Sequence, residues 1–164
     1  MIMTNINVGM GELHVSKSPD VVLIAPGLGS CIGLIMYDPI AKIGGMAHVV
    51  LPDSANAKSN NVLLGKYADT AIPGLLNSLL KIGAKKSNIM VIMAGGAQMF
   101  NLDKGSNILN IGMRNVIAVK AALSKEKLNV KSSDTGGNTG RTLRIEISTG
   151  KAYVKSIGQP EGEL

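Results

Sequence analysis

Short apolar runs, separated by polar and glycine-rich breaks, set the pattern of this chain. Runs rich in β-branched residues or alternating in polarity, bounded by Gly, Pro and Asp, predict strands near residues 11–16, 21–25, 31–37, 45–51, 89–94, 128–133, 142–148 and 151–157. Two longer segments carry the period of a helix. In residues 64–82, Leu64, Ala68, Ile72, Leu75, Leu76, Leu79 and Leu80 fall on one side, and in roughly 113–125 Val116, Val119 and Leu123 do the same. Pro73 is expected to kink or interrupt the first helix, because proline lacks the N–H that a helix interior uses. "DSANAKSNN" (53–61) reads as a polar loop, and the last six residues as a frayed end. No repeat, low-complexity tract or shift in composition divides the chain, so residues 1–164 are expected to form one strand-rich α/β domain.

Composition narrows the function classes. With 45% apolar and 17% charged residues, the chain can fill a core and is not of the disordered type. Its single cysteine cannot form an internal disulfide, and Cys and His are too few for a zinc site, which points to a reducing compartment, the cytoplasm. The N-terminus has no basic region followed by an unbroken apolar segment, and no stretch approaches the roughly 20 apolar residues that span a bilayer. A soluble protein without membrane insertion is expected. The net charge of +6 is scattered along the chain and suggests an acidic partner. One Phe, three Tyr and no Trp leave little to stack on bases, which argues against nucleic acid.

The candidate chemistry lies in two stretches. In "PGLGSCIGLIMYD" (26–38) the only cysteine, Cys31, sits among Gly27, Gly29 and Gly33; in "GGMAHVVLPDS" (44–54) one of the two histidines, His48, lies on an apolar run. If the two runs form an antiparallel hairpin across "DPIAKI", pairing Tyr37 with Gly44 sets His48 opposite Gly33. His48 is then a same-face diagonal neighbour of Cys31, with Cα atoms about 7–8 Å apart and Gly33 leaving the space between them open. A slip of one residue would put them on opposite faces. Such a pair suits amide hydrolysis, which needs an activated nucleophile, a proton for departing ammonia and donors for the oxyanion. Cys31 supplies the first and His48 the second. The third falls to backbone N–H groups turned by the neighbouring glycines, at Gly29 and Ser30, and a nearby imidazolium would favour thiolate. The competing reading is a buried, inert cysteine beside a hydrogen-bonded core histidine. A phosphate-binding loop has little support, since Gly27, Gly29 and Gly33 miss the dinucleotide spacing and no GxxxxGK[ST] occurs.

These two stretches, together with "GKYADTAIPGLLNSLLKIGA", "AGGAQMF", "NIGMRN" and "DTGGNTGR", resemble in order and spacing the CheD family of chemoreceptor glutamine deamidases, over roughly residues 8–157. The resemblance implies a layered αββ sandwich related to toxin deamidase domains. It implies a cofactor-free enzyme in which Cys31 is the nucleophile and His48 the general base and acid. The substrates would be glutamine side chains in the cytoplasmic domains of chemoreceptors, converted to glutamate and ammonia through a thioester. A CheC-type phosphatase is a further implied partner.

The chain departs from the family at one position. The family pattern has Thr six residues before the cysteine, where this chain has Ala25 followed by Pro26. Alanine has no hydroxyl, so the expectation is that the Ala25 backbone carbonyl holds the imidazole instead. The departure also favours the alternative, an adaptor that binds receptors or a CheC-type phosphatase with weak or no deamidation. The remaining motifs have plainer readings. The glycines of "AGGAQMF" (94–100) form a turn after a strand, and Phe100, if exposed, is a candidate anchor for a helical partner. "DTGGNTGR" (134–141) has the glycine density of a hairpin loop, with Arg141 either anchoring it or facing substrate. His14 reads as a surface residue on an alternating strand.

Overall fold

Residues 32–38 and 43–49 are apolar at nearly every position, a pattern that only a sheet covered on both faces can bury. A computed structural model describes residues 2–58, 63–99 and 110–164. In chain order its strands are β1 (Thr4–Asn7), β2 (Leu13–Ser16), β3 (Val21–Leu28), β4 (Ile32–Asp38), β5 (Ile43–Val49), β6 (Met90–Gly95), β7 (Val130–Thr135), β8 (Arg141–Glu146), β9 (Ala152–Ser156) and β10 (Gly162–Glu163). Helix α1 (Ala68–Lys81) lies between β5 and β6, and α2 (Ile111–Lys125) between β6 and β7. One sheet has the order β2-β5-β4-β6-β7, the other β1-β3-β8-β9-β10.

The strand period of two divides the core. Ile32, Leu34 and Met36 of β4 point to α1 and α2, where Ala68, Ile72, Leu75, Leu79, Val119 and Leu123 meet them. Ile35 and Tyr37 point the other way, onto Leu23, Leu143 and Ile145 of the second sheet. The result is helices, sheet, sheet: the layered αββ sandwich that the resemblance implies. Asp38 fixes the β4–β5 hairpin from its turn, accepting from the N–H groups of Ile40, Ala41 and Lys85 at 2.9–3.0 Å. Burial raises its pKa, but these bonds outweigh burial and hold the carboxylate below its usual range. The register that follows pairs Tyr37 with Gly44 and Gly33 with His48.

Several expectations are corrected. Helix α1 starts at Ala68, leaving Leu64 exposed ahead of it, and it runs through Pro73 without interruption. The missing proline N–H removes one internal bond, while the buried stripe from Ala68 to Leu79 holds the helix against the sheet. Residues 134–141 are not a hairpin loop, because β7 and β8 lie in different sheets and the segment crosses between them. The tail is not frayed: Gly162–Glu163 pairs with β9. β1, with the polar sequence TNIN, has no alternation to announce it and is held by parallel pairing to β3.

Strands β1, β3, β5, β6 and β7 end, and β4 and β8 begin, at one end of the sandwich. Cys31 and His48 lie there. Among the described residues no helix is long and apolar enough to cross a membrane.

Candidate active site

The loop Gly29–Cys31 carries the chain from β3 in one sheet to β4 in the other, and its carbonyls are all engaged. Gly29 O accepts from the Ala97 N–H at 2.8 Å, Ser30 O from Asn115 Nδ2 at 2.9 Å and Cys31 O from the Gly96 N–H at 2.9 Å. Among the described residues, the N–H groups of Gly29, Ser30 and Cys31 donate to no main-chain acceptor. Consecutive uncommitted donors beside a thiol are a place where negative charge can be stabilised. The supports approach closely. Gly95 has φ 112°, and a Cβ there would collide with the Cys31 carbonyl oxygen; a Cβ on Gly112 of α2 would collide with the carbonyls of Gly96 and Ala97.

His48 is 2% exposed and Cys31 8%. Because Gly33 is opposite His48 and Cys31 packs with the second sheet just ahead of β4, both side chains lie on the face that looks onto β3 and β8, with no hydrogen bond to ring Nε2 among the described residues. The space at Gly33 is not open, however. Leu28, Leu143 and Ala25 fill it, and a Cβ on Gly33 would lie 2.9 Å from Leu28 Cδ1 and 3.0 Å from Leu143 Cδ2.

The segment following β1 clasps His48. Its N–H donates to Glu12 O at 3.0 Å, its carbonyl accepts from the Gly11 N–H at 2.9 Å, and ring Nδ1 lies 2.9 Å from Val8 O. A carbonyl can only accept, so the neutral ring carries its proton on Nδ1 and presents a lone pair at Nε2, which has no partner among the described residues. This corrects the expectation for Ala25. The imidazole is held by the Val8 carbonyl, while Ala25 is a buried member of β3 paired with Leu143 of β8.

Burial pushes the Cys31 thiol above its ordinary value, only partly countered by its own N–H. Burial also pushes His48 below its ordinary value, against the opposing pull of the Val8 carbonyl and the Glu12 charge. The resting pair at neutral pH is thus thiol and neutral imidazole, not the thiolate and imidazolium expected from the sequence. Alkylation of Cys31 by iodoacetamide checks this. The rate is expected to keep rising with pH beyond 9, the ordinary value for a thiol, and a plateau reached near neutrality would indicate a preformed ion pair.

Among the described residues, cavities lie on either side of the 96–99 strip. One of about 340 Å³ is bordered by Gly29, Met99, Gly140, Arg141 and Lys155. The other, about 380 Å³, is bordered by Gly96, Gln98, Asn110, Met113 and Gly136. Arg141 anchors the crossing loop: its side chain is 4% exposed, and the guanidinium bonds Asp134 Oδ1 at 2.9 Å and also reaches the carbonyls of Asp134 and Gly136. His14 lies on β2, 42% exposed and 3.5 Å from Glu12, as a surface residue. Phe100 lies outside the described residues.

Sequence reasoning missed Val8 and Asn115. Val8 acts through its main chain and so leaves no mark in the side-chain pattern. Asn115 did leave a signal: it is an amide within the buried stripe Gly112, Asn115, Val119 and Leu123 of α2.

A family model described as CheD chemotactic sensory transduction matches residues 50–156. A protein of Symbiobacterium thermophilum, named "Probable chemoreceptor glutamine deamidase CheD", is 45% identical over 96% of this chain and 95% of its own length. A protein of the same name from Caldanaerobacter subterraneus subsp. tengcongensis is 46% identical over 93% of each chain. Among solved structures, the Bacillus licheniformis hypothetical protein YfiH superposes with a TM-score of 0.48 at 10% identity, over 76% of this chain and 50% of that one.

Proposed function

The chain belongs to the CheD family, and from that premise we propose that it is a protein-glutamine deamidase acting on chemoreceptors, with Cys31 as nucleophile and His48 as base and acid. The observation that carries the assignment of roles is the tautomer of His48. Val8 O accepts a hydrogen bond from Nδ1–H, so the lone pair at Nε2 is available on the face that Cys31 shares.

The reaction follows from a neutral pair. His48 Nε2 takes the thiol proton as Sγ attacks the carboxamide carbon, and the carbonyl oxygen becomes an oxyanion stabilised by the uncommitted N–H groups of Gly29 and Ser30. The proton held on Nε2 passes to the carboxamide nitrogen, the C–N bond breaks and ammonia leaves, giving a γ-glutamyl thioester. His48 then takes a proton from water, whose oxygen attacks the thioester carbon. The C–S bond breaks, the sulfur regains its proton from His48, and glutamate is released.

The adaptor alternative drew its support from Ala25, and an imidazole already held by Val8 O removes that support. Ala25→Thr is accordingly expected to change deamidation by only a few-fold, since roughly 1.4 kcal/mol of barrier is needed for each factor of ten. A tenfold or larger gain would mean that the ring is poorly held in the natural protein. The function itself is tested by incubating the protein with chemoreceptor cytoplasmic fragments, measuring ammonia and mapping Gln-to-Glu conversion by peptide mass. Binding without conversion would favour the adaptor.

A further inference from the structure

We propose that Asn115 is a positioning residue for the reaction, holding the loop of the nucleophile and the strand of the base at a fixed separation; the inference rests on the catalytic reading of Cys31 and His48. Its Nδ2 lies 2.9 Å from Ser30 O and 2.9 Å from Val50 O. Ser30 immediately precedes the nucleophile, and Val50 follows the base by two residues. One amide group therefore joins the two catalytic segments at a point where no strand pairing does, because β4 starts at Ile32 and β5 ends at Val49.

The amide orientation is determined. Two hydrogens meet two carbonyl oxygens, and the reversed amide would set its own oxygen against both. Asn115 is fully buried, and its Oδ1 has no partner among the described residues. An amide with an orphan oxygen is an unfavourable way to fill a helix stripe that continues in Val119 and Leu123, where an apolar side chain would pack without that cost. What the amide adds is the double donation. The helix that carries it is itself seated tightly, since Gly112 lies against the carbonyls of Gly96 and Ala97, which flank the same loop. The separation of Sγ from Nε2 is thus set from α2 as well as by hairpin register.

The test measures kcat and KM for ammonia release from a receptor fragment, using wild type, Cys31→Ala, Asn115→Ala, Asn115→Ser and Asn115→Asp. Asn115→Ala is expected to lose about 10²-fold in kcat with little change in KM, as for a misplaced reacting group. Asn115→Ser, with one donor, should fall between. Asn115→Asp should be poor when ionised, with a carboxylate facing two carbonyls, and recover relative to wild type as pH is lowered and one O–H donor appears. Measured as kcat at pH values where thermal unfolding shows the variant folded, this recovery is a signature that mere core filling would not produce. Folded Asn115→Ala with wild-type kcat would overturn the proposal. So would an Asn115→Asp to wild-type activity ratio that does not vary with pH, and this second criterion holds even where the alanine variant does not fold. Wild type without activity, or an active Cys31→Ala, would instead overturn the catalytic reading on which the proposal stands.

Discussion

Cys31→Ala is expected to abolish ammonia release from receptor glutamines, a loss of at least about 10⁴-fold, because no other group in the site can form the thioester. The fold should survive. The loop is held through the carbonyls of Gly29, Ser30 and Cys31, none of which depends on the sulfur. Removing one small buried atom costs about 1 kcal/mol, within the ordinary range for a point substitution. Thermal unfolding and receptor binding, measured beside activity, separate the two roles of the side chain. A large drop in melting temperature with turnover retained would return Cys31 to the core as an inert thiol.

His48→Ala is expected to be comparably severe, since nucleophile and base act as a unit and their deletions do not add. The wild-type pH profile carries the complementary information. Only neutral imidazole can take the thiol proton, so kcat/KM should fall as pH drops through a value below 6.5, the ordinary value from which burial depresses this histidine. Stability moves in the same direction. In the window between the depressed folded value and 6.5, the unfolded chain binds the proton that the folded chain refuses, so the stability present above 6.5 is lost as pH falls. Near-normal turnover in His48→Ala, or an acid limb above 6.5, would assign the base to another group.

Where the sequence was informative, side chains did the signalling. The apolar runs of β4 and β5 and the turn at Asp38 made a hairpin legible but left its register open by one residue, and the register observed is the one that pairs Tyr37 with Gly44 and Gly33 with His48. The helical stripe from Ala68 to Leu79 was legible for the same reason. What stayed hidden depends on main chain or on distant assembly. β1 is too polar to alternate and exists through its ladder with β3; the crossing at 134–141 resembles any glycine-rich turn until the sheets are known. The protonation of the pair was misjudged because short spacing suggests mutual attraction, whereas the depth of burial, which opposes both charges, becomes visible only when the sandwich is closed.

The bond from His48 to a main-chain carbonyl changes what variation this site can absorb. Any residue at position 8 offers the same oxygen, so an alanine scan would register there only the lost packing of a fully buried side chain and not the carbonyl's role, and position 25 is relieved of any duty toward the ring. Changes of length behave otherwise. β1 is paired in parallel with β3 from Thr4 through Asn7, and the Val8 N–H continues that ladder onto Ile24 O. One residue inserted or deleted in this span shifts the ladder and carries a different carbonyl, at a different height, toward the imidazole. At this point the ring depends on spacing alone, while the side chain of residue 8 answers only to the core in which Val8 is fully buried.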